Sequence, residues 1–206
     1  MAKAVYQKRR RVGGRSARVR DAVLKSAFEL LIEQGHEGFT ITEVAARAGV
    51  HETSIYRRWG TPNALLVDAW LGYFDDAIPI PDTGTLRSDL IALGEGGASV
   101  HRSPQGQAIL ALILVRDEHA LKVKHEYWQR RFERLRPIFD RAIARGEFPP
   151  DADPIVLLQI LIAPRFFRLL VSIEPLDDWP IAEVVDRVLR GYATSPKRTA
   201  HRRRRQ

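Results

Sequence analysis

The stretch FTITEVAARAGVHETSIYRRW, residues 39–59, decides the fold. Its pattern predicts two short helices, the first over residues 40–48 and the second from about residue 53 to residue 59. Gly49 lies between them, where a residue without a Cβ tolerates the positive φ that a tight turn requires. The spacing therefore predicts two crossed helices joined by a turn, which is a helix-turn-helix.

The residues inside this stretch meet the packing demands of such a pair. Ala45 is small enough to let the helices cross closely, and Ile55 is an apolar anchor that points back from the second helix. Val44 and Val50 close the small core. The outward face of the second helix carries short polar groups and guanidiniums, which suit base edges and phosphates: His51, Thr53, Ser54, Arg57 and Arg58.

Helical patterns continue on both sides of the pair. Ser16 can cap a helix that runs to about Gln34. Thr61 is a second capping residue, and Pro62 occupies the first helical position of a helix that continues to about Phe74. These helices complete a small N-terminal unit around the helix-turn-helix.

The rest of the chain also has a helical pattern. Turn-forming residues at 78–84 mark a boundary, and further helices are expected over 85–101, 104–116, 118–145, 153–173 and 181–193. Pro164 should kink the fourth of these helices, and the cluster Gly94-x-Gly96-Gly97 should be a weak or bent point in the first. Because no alternating strand pattern is present, the predicted fold is all-α.

Charge is concentrated at the two ends of the chain. Residues 1–20 hold eight Lys or Arg and residues 197–206 hold six, with no acidic residue in either segment. These basic residues outnumber the net charge of +8, so the remainder of the chain is net acidic. Polycationic arms are typical of proteins that bind a phosphate backbone. The alternative is that both tails are solvated and only aid solubility.

Composition excludes several classes of protein. The absence of cysteine excludes disulfides and thiolate metal sites and fits a reducing cytosol. No uninterrupted run of about 18 apolar residues is present, so no membrane span is expected. The basic N-terminus is not followed by the apolar segment of a secretory signal.

Residues 16–75 resemble the DNA-binding domain of the TetR family of transcriptional regulators. The resemblance is carried, in order and spacing, by Phe39-Thr40, Ile41-Thr42-Glu43-Val44-Ala45, Ala48-Gly49-Val50, Ile55-Tyr56-Arg57-Arg58-Trp59 and Ala64-Leu65-Leu66. It implies phosphate contacts near Thr40 and Thr42, base contacts at Thr53 and Ser54, a phosphate contact at the Tyr56 hydroxyl, and neighbouring contacts at Arg57 and Arg58.

One departure from the family pattern concerns the start of the fourth helix. The family usually has a phosphate-binding lysine there, whereas this chain has Pro62 followed by Asn63. The backbone N–H of Asn63, near a helix N-terminus, is the expected replacement. Arg15 and the arginines around it are expected to add contacts from the arm, in the minor groove.

The remainder of the chain resembles a C-terminal ligand-binding domain of the same family. Shared features are Arg102-x-Pro-x-Gly106, the ending Arg141-Ala142…Arg145-Gly146-Glu147, and Ala163-Pro164. The expected organisation is a basic arm (1–15), a three-helix helix-turn-helix domain (16–75), a larger helical ligand-binding and dimerisation domain (76–195) and a basic tail (196–206).

The resemblance implies a homodimer, formed by the last two long helices, and an effector pocket. Apolar residues of those helices are the candidate dimer contacts, the alternative being the core of one protomer: Leu158, Ile162, Leu169, Val185, Val188 and Leu189. The candidate pocket residues, for which core packing is the alternative, are His101, Trp128, Phe132, Phe139, Phe166 and Phe167. Arg165 and Arg168 are expected either to bind an anionic ligand or to pair with acidic residues in the dimer interface.

The function expected from these features is a cytoplasmic repressor. It would bind a palindromic double-stranded DNA operator and leave it when a small molecule binds, with no cofactor and no metal. An enzyme is the first alternative, but the glycine cluster is not a phosphate loop and His119 and His125 match no metal motif. The second alternative is an effector-independent or architectural DNA-binding protein, and activation remains an alternative to repression.

Overall fold

A computed structural model describes residues 14–36, 38–108 and 110–193 of the protein. Within these ranges the chain is helical and has no strand, which confirms the all-α prediction. The predicted basic tail and the arm before residue 14 lie outside the described residues. The helices are α1 (Arg15–Gln34), α2 (Ile41–Ala48), α3 (Glu52–Trp59), α4 (Pro62–Ala77), α5 (Leu86–Arg102), α6 (Pro104–Ala108), a 3₁₀ helix (Leu110–Leu114), α7 (Glu118–Ala144), α8 (Pro154–Phe167), a π-helix (Arg168–Ser172) and α9 (Ile181–Ala193).

Two predicted helices differ from the observed ones. The segment predicted over 104–116 contains the short α6 and then a 3₁₀ helix, because periods of 3.0 and 3.6 residues are indistinguishable over five residues. The segment predicted over 153–173 stays α-helical through Pro164, continues as a π-helix from Arg168, and ends at Ile173 with a φ of +54°. Pro164 donates no backbone hydrogen bond, so the ladder is already weakened where the wider turns begin.

The glycine cluster does not interrupt its helix, and whether it weakens or bends it stays a prediction. Helix α5 runs without interruption from Leu86 to Arg102. A Cβ at Gly94 would collide with the side chain of Ile181, so the glycine is required for close packing against α9. The cost of glycine within a helix is therefore offset by a tertiary contact that the sequence pattern does not reveal.

The described residues form two compact units. The first comprises the residues up to Pro79 together with Gly96–Arg134, and the second comprises Ile80–Glu95 together with the residues from Leu135 onward. Helices α5 and α7 contribute to both units. This division reflects which residues contact one another in space. The domain boundaries predicted from the sequence, which divide the chain by function, stay a prediction.

The first unit is built around α1 and α4, which pack against each other and against α2 and α3. Its core takes one apolar stripe from each helix: Val23, Ala27, Leu30, Leu31, Val44, Ala45, Ile55, Trp59, Leu65 and Leu66. Ala45 and Ile55 are both buried in this core, as their spacing predicts.

A buried ion pair ties the end of α4 to α7 within the same unit. Arg131 donates to the Asp75 carboxylate at 2.7 Å and to the carbonyl oxygen of Ile78 at 3.0 Å. Arg134 contacts the other oxygen of Asp75. The Asp75 and Arg131 side chains are 8% and 4% exposed, so each charge depends on the other for compensation.

The second unit contains the α8–α9 pair and the C-terminal part of α7. The rings of Phe139 and Phe148 lie 5.2 Å apart, and Tyr192 of α9 adds a third ring 5.3 Å from Phe148. Ion pairs at the edge of this core join Arg87 of α5 to Asp186 of α9 at 2.7 Å. The unit therefore has its own aromatic centre and a polar rim.

One segment of the described chain is long and apolar enough to pass for a membrane span. Pro154–Ser172 has 19 residues and a mean hydropathy of 1.9, and 22% of it is buried. Length and composition alone are weak evidence, since helices of water-soluble proteins satisfy the same measure. The expectation that nothing here spans a membrane stays a prediction, and the exposed apolar side chains need an explanation of their own.

Gly49, with a φ of +67°, provides a test of the turn between α2 and α3. We expect Gly49→Ala to lower the free energy of unfolding by about 1 kcal/mol, because a Cβ is strained in this backbone conformation even in open space. Gly72→Ala, in the middle of α4 with no atom near the added Cβ, should raise it by about 0.5–1 kcal/mol. Urea denaturation at one protein concentration measures both. Equal effects of the two substitutions would contradict the assigned turn.

Asp75 provides a test of the buried ion pair. We expect Asp75→Asn to destabilise the protein by about 3 kcal/mol, because Arg131 and Arg134 then lose the charge that compensates them. Asp21→Asn, at an exposed position of α1, is the matched control and should change stability by less than about 0.5 kcal/mol. The denaturation midpoints of both variants and the wild type at pH 7 measure these changes in stability. If Asp75→Asn destabilises the protein no more than Asp21→Asn does, the ion pair has no stabilising role.

Candidate nucleic-acid interface

The turn between α2 and α3 ends α2 in a Schellman motif. Gly49 adopts the left-handed conformation, its N–H contacts the Ala46 carbonyl at 3.3 Å, and the N–H of Val50 donates to the Ala45 carbonyl at 3.0 Å. At the other end of α2, the Thr40 hydroxyl accepts from the Glu43 N–H at 3.2 Å and donates to the Glu43 carboxylate at 3.0 Å. The Thr40 side chain therefore caps α2 and fixes where the helix begins.

Helix α3 has one buried face and one exposed face. Ile55 and Trp59 are 1% and 5% exposed and join the core of the first unit. Ser54 is half-buried at the edge. The other predicted contact residues at this helix are exposed and lie together on its outer face: His51, Thr53, Tyr56, Arg57 and Arg58. The two guanidiniums, the phenol and the threonine hydroxyl can all donate hydrogen bonds from this surface.

A polar contact that sequence reasoning missed holds this helix in place. The Trp59 indole N–H donates to Asp68 of α4 at 2.9 Å. Arg20 of α1 donates to both oxygens of the same carboxylate at 2.7 Å. The signal for it in the sequence was an aspartate within the apolar run of α4. Asp68 thereby joins α1, α3 and α4 at one carboxylate.

The residues predicted near phosphate at the helix ends have varied surroundings. Thr42 is exposed on α2, whereas the Thr40 hydroxyl is already engaged with Glu43. Asn63 is half-buried in the first turn of α4, and its side-chain oxygen lies 3.3 Å from His36 Nε2. Arg15 is the first residue of α1, and its side chain is outside what the structure describes. Thr40 would have to release Glu43 before it could donate to a phosphate.

Asp117 adjoins this surface at the N-terminus of α4. The Thr61 hydroxyl caps α4 at the Ala64 N–H and donates to Asp117 at 3.1 Å, and the Ala120 N–H donates to the same carboxylate oxygen at 3.0 Å. Burial raises the pKa of Asp117, but these hydrogen bonds outweigh it, and the pKa lies below its usual value. The carboxylate is therefore ionised at neutral pH and ties α4 to the start of α7.

The six predicted pocket residues fall into the two units separately. In the first unit, His101 is buried with Nδ1 2.8 Å from the Gly97 carbonyl, and the half-buried rings of Trp128 and Phe132 lie 5.6 Å apart. In the second unit, Phe139 is fully packed in the aromatic core and Phe166 is half-buried. Phe167 was expected to face a pocket but is 58% exposed, because it lies on the outer side of α8.

The predicted dimer residues also divide by burial. Leu158 and Val185 are buried within the protomer, so they have no free surface for a second chain, and the expectation for these two residues is wrong. Each lies on the side of its helix that packs into the second unit. Ile162, Leu169, Val188 and Leu189 are half-buried. Val188 lines an open groove of about 490 Å³ together with Ile160, Arg187, Gly191 and Tyr192.

Metal-binding geometry is not found in the described part of the chain. No group of three or more His, Asp or Glu side chains there could hold an ion. The two histidines considered at the sequence level, His119 and His125, are exposed. His119 contacts the backbone at Gly60, where a Cβ would meet its ring.

Comparison with known proteins matches both parts of the chain to one family. Residues 23–69 match the family described as bacterial regulatory proteins, tetR family, and residues 80–188 match the tetracyclin repressor-like C-terminal domain. The DNA-binding transcriptional repressor TetR of Mycobacteroides abscessus is 33% identical over 176 residues, which is 82% of this chain and 90% of that protein.

Solved structures agree with this assignment. The TetR family transcription regulator SCO0332 is 30% identical, with a TM-score of 0.72 over 86% of this chain and 99% of its own. The regulator FadR of Bacillus subtilis, solved with stearoyl-CoA, has the same fold at 15% identity, with a TM-score of 0.56 over 84% of this chain and 97% of its own. Three observations agree: α3 has an exposed polar face, a helix-turn-helix supports it, and both parts of the chain match one family. This chain belongs to the TetR family of transcriptional regulators and carries the family's DNA-binding helix-turn-helix ahead of a C-terminal helical domain.

Proposed function

We propose that the protein is a homodimeric repressor that binds a palindromic operator in double-stranded DNA and releases it when a small molecule binds. The observation that carries the proposal is the outer face of α3, where Thr53, Tyr56 and Arg57 stand exposed above a fully buried Ile55. A helix held by its inner face and polar on its outer face can enter a major groove without unfolding its own core.

The outer face offers both kinds of DNA contact. Arg57 and Arg58 provide charge for phosphates and bidentate donors for guanine, whereas Thr53 and Ser54 are short enough to reach base edges. Tyr56 is 45% exposed, so its hydroxyl can reach a phosphate from the same helix. Phosphate contacts position the helix, and base contacts select the operator sequence.

A second copy of the chain is the proposed partner of α8. Five exposed apolar residues recur along this helix and the π-helix after it at intervals of three or four residues. They are Val156, Ile160, Ala163, Phe167 and Val171. This spacing keeps the residues on one side of the helix. An apolar stripe of this length is stable in water only when it is covered.

The opposite side of α8 argues for a second chain rather than a membrane. Leu157 and Leu161 are buried within the protomer, so only one side of the helix is free. Two copies related by a twofold axis would cover both stripes with one self-complementary contact. A palindromic operator requires two α3 helices, which enter major grooves about 34–36 Å apart, and a twofold dimer supplies two copies of α3.

Helix α4 is the proposed link between effector and operator. Its N-terminus contacts Asp117, its middle holds Trp59 of α3 through Asp68, and its end is paired with Arg131 of α7. A displacement of α7 would therefore reach α3 through α4. In the proposed mechanism the effector stabilises a conformer in which the two α3 helices no longer match the operator spacing.

Responsiveness to a small molecule and a cytoplasmic location are further parts of the proposal. Regulators of this family are not enzymes, so any bound small molecule would act as a signal. FadR of Bacillus subtilis, which shares the fold, was solved with stearoyl-CoA bound. A cytoplasmic location follows from the DNA partner and is consistent with a chain that has no cysteine.

Two substitutions in α3 test the DNA contacts. Tyr56→Phe should weaken binding about fivefold for every DNA sequence, because one phosphate hydrogen bond is lost. Thr53→Ala should instead change which bases are preferred. Selection from a random duplex library, followed by fluorescence anisotropy with the selected operator, measures both effects. Tyr73→Phe, a half-buried tyrosine of α4, is the matched control and should bind as the wild type does.

The same experiment separates this function from the alternatives. An architectural protein would yield no preferred sequence, and a preferred sequence without twofold symmetry would contradict the dimeric repressor. Anisotropy with a panel of small molecules then tests release from the operator, and an operator complex that no compound weakens would count against the sensor function.

Ile160 tests the proposed dimer. Ile160→Lys places a charge in the exposed stripe, close to Arg187 in the same groove, and should convert the dimer to monomer at micromolar concentration. Ile143→Lys, 36% exposed on α7, is the matched control and should remain dimeric. Sedimentation velocity in detergent-free buffer measures the state. A monomeric wild type, or one that stays in solution only with detergent, would contradict the dimer.

A further inference from the structure

Arg165 has an unusual position on α8. Leu157, Leu161 and Arg165 recur at intervals of four residues, so all three lie on the buried side of the helix. Arg165 is 4% exposed in a single protomer. A guanidinium therefore occupies the position where the pattern of the helix would place another leucine.

The charge of Arg165 has no acidic partner among the described residues. Its Nε is buried without a hydrogen-bond partner, and none of the ion pairs in the described part of the chain includes it. Its guanidinium lies 5.4 Å from the ring centre of Phe166, which is a weak contact compared with an ion pair. Burial lowers the pKa of Arg165 to about 10, so the group is still protonated at neutral pH.

The other deeply buried arginine shows what compensation looks like in this protein. Arg131 is 4% exposed as well, but it contacts the Asp75 carboxylate and the Ile78 carbonyl. Burial of a charge is costly unless a counter-charge and hydrogen bonds offset the lost solvation. Arg165 has lost its solvation by water and has no carboxylate to offset that loss. This indicates that its counter-charge is not part of the described chain.

A second subunit is not a suitable source of that counter-charge. The exposed stripe of α8, which includes Ile160 and Phe167, lies on the other side of the helix from Arg165. A partner that covers the stripe therefore contacts the side of α8 that faces away from the guanidinium. The alternative raised from the sequence, pairing across the dimer interface, is disfavoured by this geometry.

Arg168 supplies a second donor one turn further along. Its Nε is also buried without a hydrogen-bond partner, while its Nη2 forms an ion pair with Glu174 at 3.1 Å. Since Glu174 already balances the charge of Arg168, the two arginines together leave one uncompensated positive charge. They lie where α8 changes into the π-helix, and such irregular turns occur often at functional sites.

These observations define the chemistry of the missing group. One net positive charge and free guanidinium N–H groups match a monoanion with two acceptor oxygens, which is a carboxylate. Three apolar residues close to these arginines in the sequence of α8 and the π-helix are half-buried: Ile162, Leu169 and Leu170. A ligand whose carboxylate meets Arg165 would therefore need an apolar body.

We propose that the effector is an apolar monocarboxylate whose carboxylate is bound by Arg165, with Arg168 as a second donor. The proposal rests on the proposed function, in that it names the chemical class of the effector. It goes further in assigning the anchoring residue, and it makes a statement about the protein without ligand: Arg165 destabilises the empty form.

The first test needs no ligand. Arg165→Met keeps an unbranched side chain of similar length and removes the uncompensated charge, so its urea midpoint should equal or exceed that of the wild type. Arg130→Met removes the same charge from an exposed position of α7 and is the matched control. An Arg165→Met protein that is clearly less stable than the control would show that Arg165 has a partner within the protein, which overturns the proposal.

The second test measures binding to the full-length protein in the absence of DNA. Thermal shift and calorimetry compare carboxylates with the corresponding primary amides at fixed ionic strength. The carboxylates are the straight-chain series from butanoate to dodecanoate, and phenylacetate. We expect carboxylates to stabilise the wild type and Arg130→Met, amides to have no effect, and Arg165→Met to bind at least about tenfold more weakly. Arg165→Lys should bind with intermediate affinity, because lysine keeps the charge but not the planar pair of donors.

Two results of this second test would overturn the proposal. One is equal stabilisation by carboxylates and amides, and the other is a series in which the wild type responds no more than Arg165→Met. Anisotropy on the selected operator keeps this failure separate from failure of the proposed function. Arg165→Met should bind the operator as tightly as the wild type, whereas a wild type without sequence preference would refute the regulator itself, whatever the carboxylates do.

Discussion

The attachment of α3 to the core of the first unit is the constraint on which the DNA-binding surface depends. A helix of two turns is not stable by itself in water, so its position must come from tertiary contacts. Ile55 supplies the apolar part of that attachment, and the Trp59 indole N–H bound to Asp68 supplies a directional part. Because these residues fix the inner face, the residues between them are presented outward as a rigid set.

Helix α4 shows how a few polar groups give an apolar helix a specific position. Most of its side chains are buried and apolar, and they could pack in several ways with similar energy. Three polar contacts remove that freedom, at Thr61 with Asp117, at Asp68 with Arg20, and at Asp75 with Arg131. The first and third contacts join α4 to the start and to the body of α7, and the second joins it to α1. A helix tied in this way moves as one body with its neighbours, which is what the proposed mechanism of release requires.

Helix α8 has the opposite arrangement from a surface helix of an ordinary water-soluble protein. Its apolar stripe faces outward and one of its charges faces inward. Both features are costly in an isolated protomer, since water contacts the apolar groups and does not solvate the guanidinium. A second chain would remove the first cost, and an anionic ligand would remove the second. One helix thus combines the proposed dimer contact and the proposed effector contact on its two sides.

The sequence by itself determined helices α1 to α4, the helix-turn-helix and the outer face of α3. Capping residues, the turn glycine and the spacing of Ala45 and Ile55 are local features, and local features are sufficient where each helix is short and its ends are marked. The interior of the second unit depended on contacts between residues far apart in the chain. The need for Gly94 comes from Ile181, the burial of Leu158 and Val185 comes from the pairing of α8 with α9, and the isolation of Arg165 comes from the lack of a nearby carboxylate. A pattern along the chain predicts which side of a helix is apolar, but only the tertiary structure decides whether that side meets its own core or remains exposed, because burial depends on what the other elements bring to it.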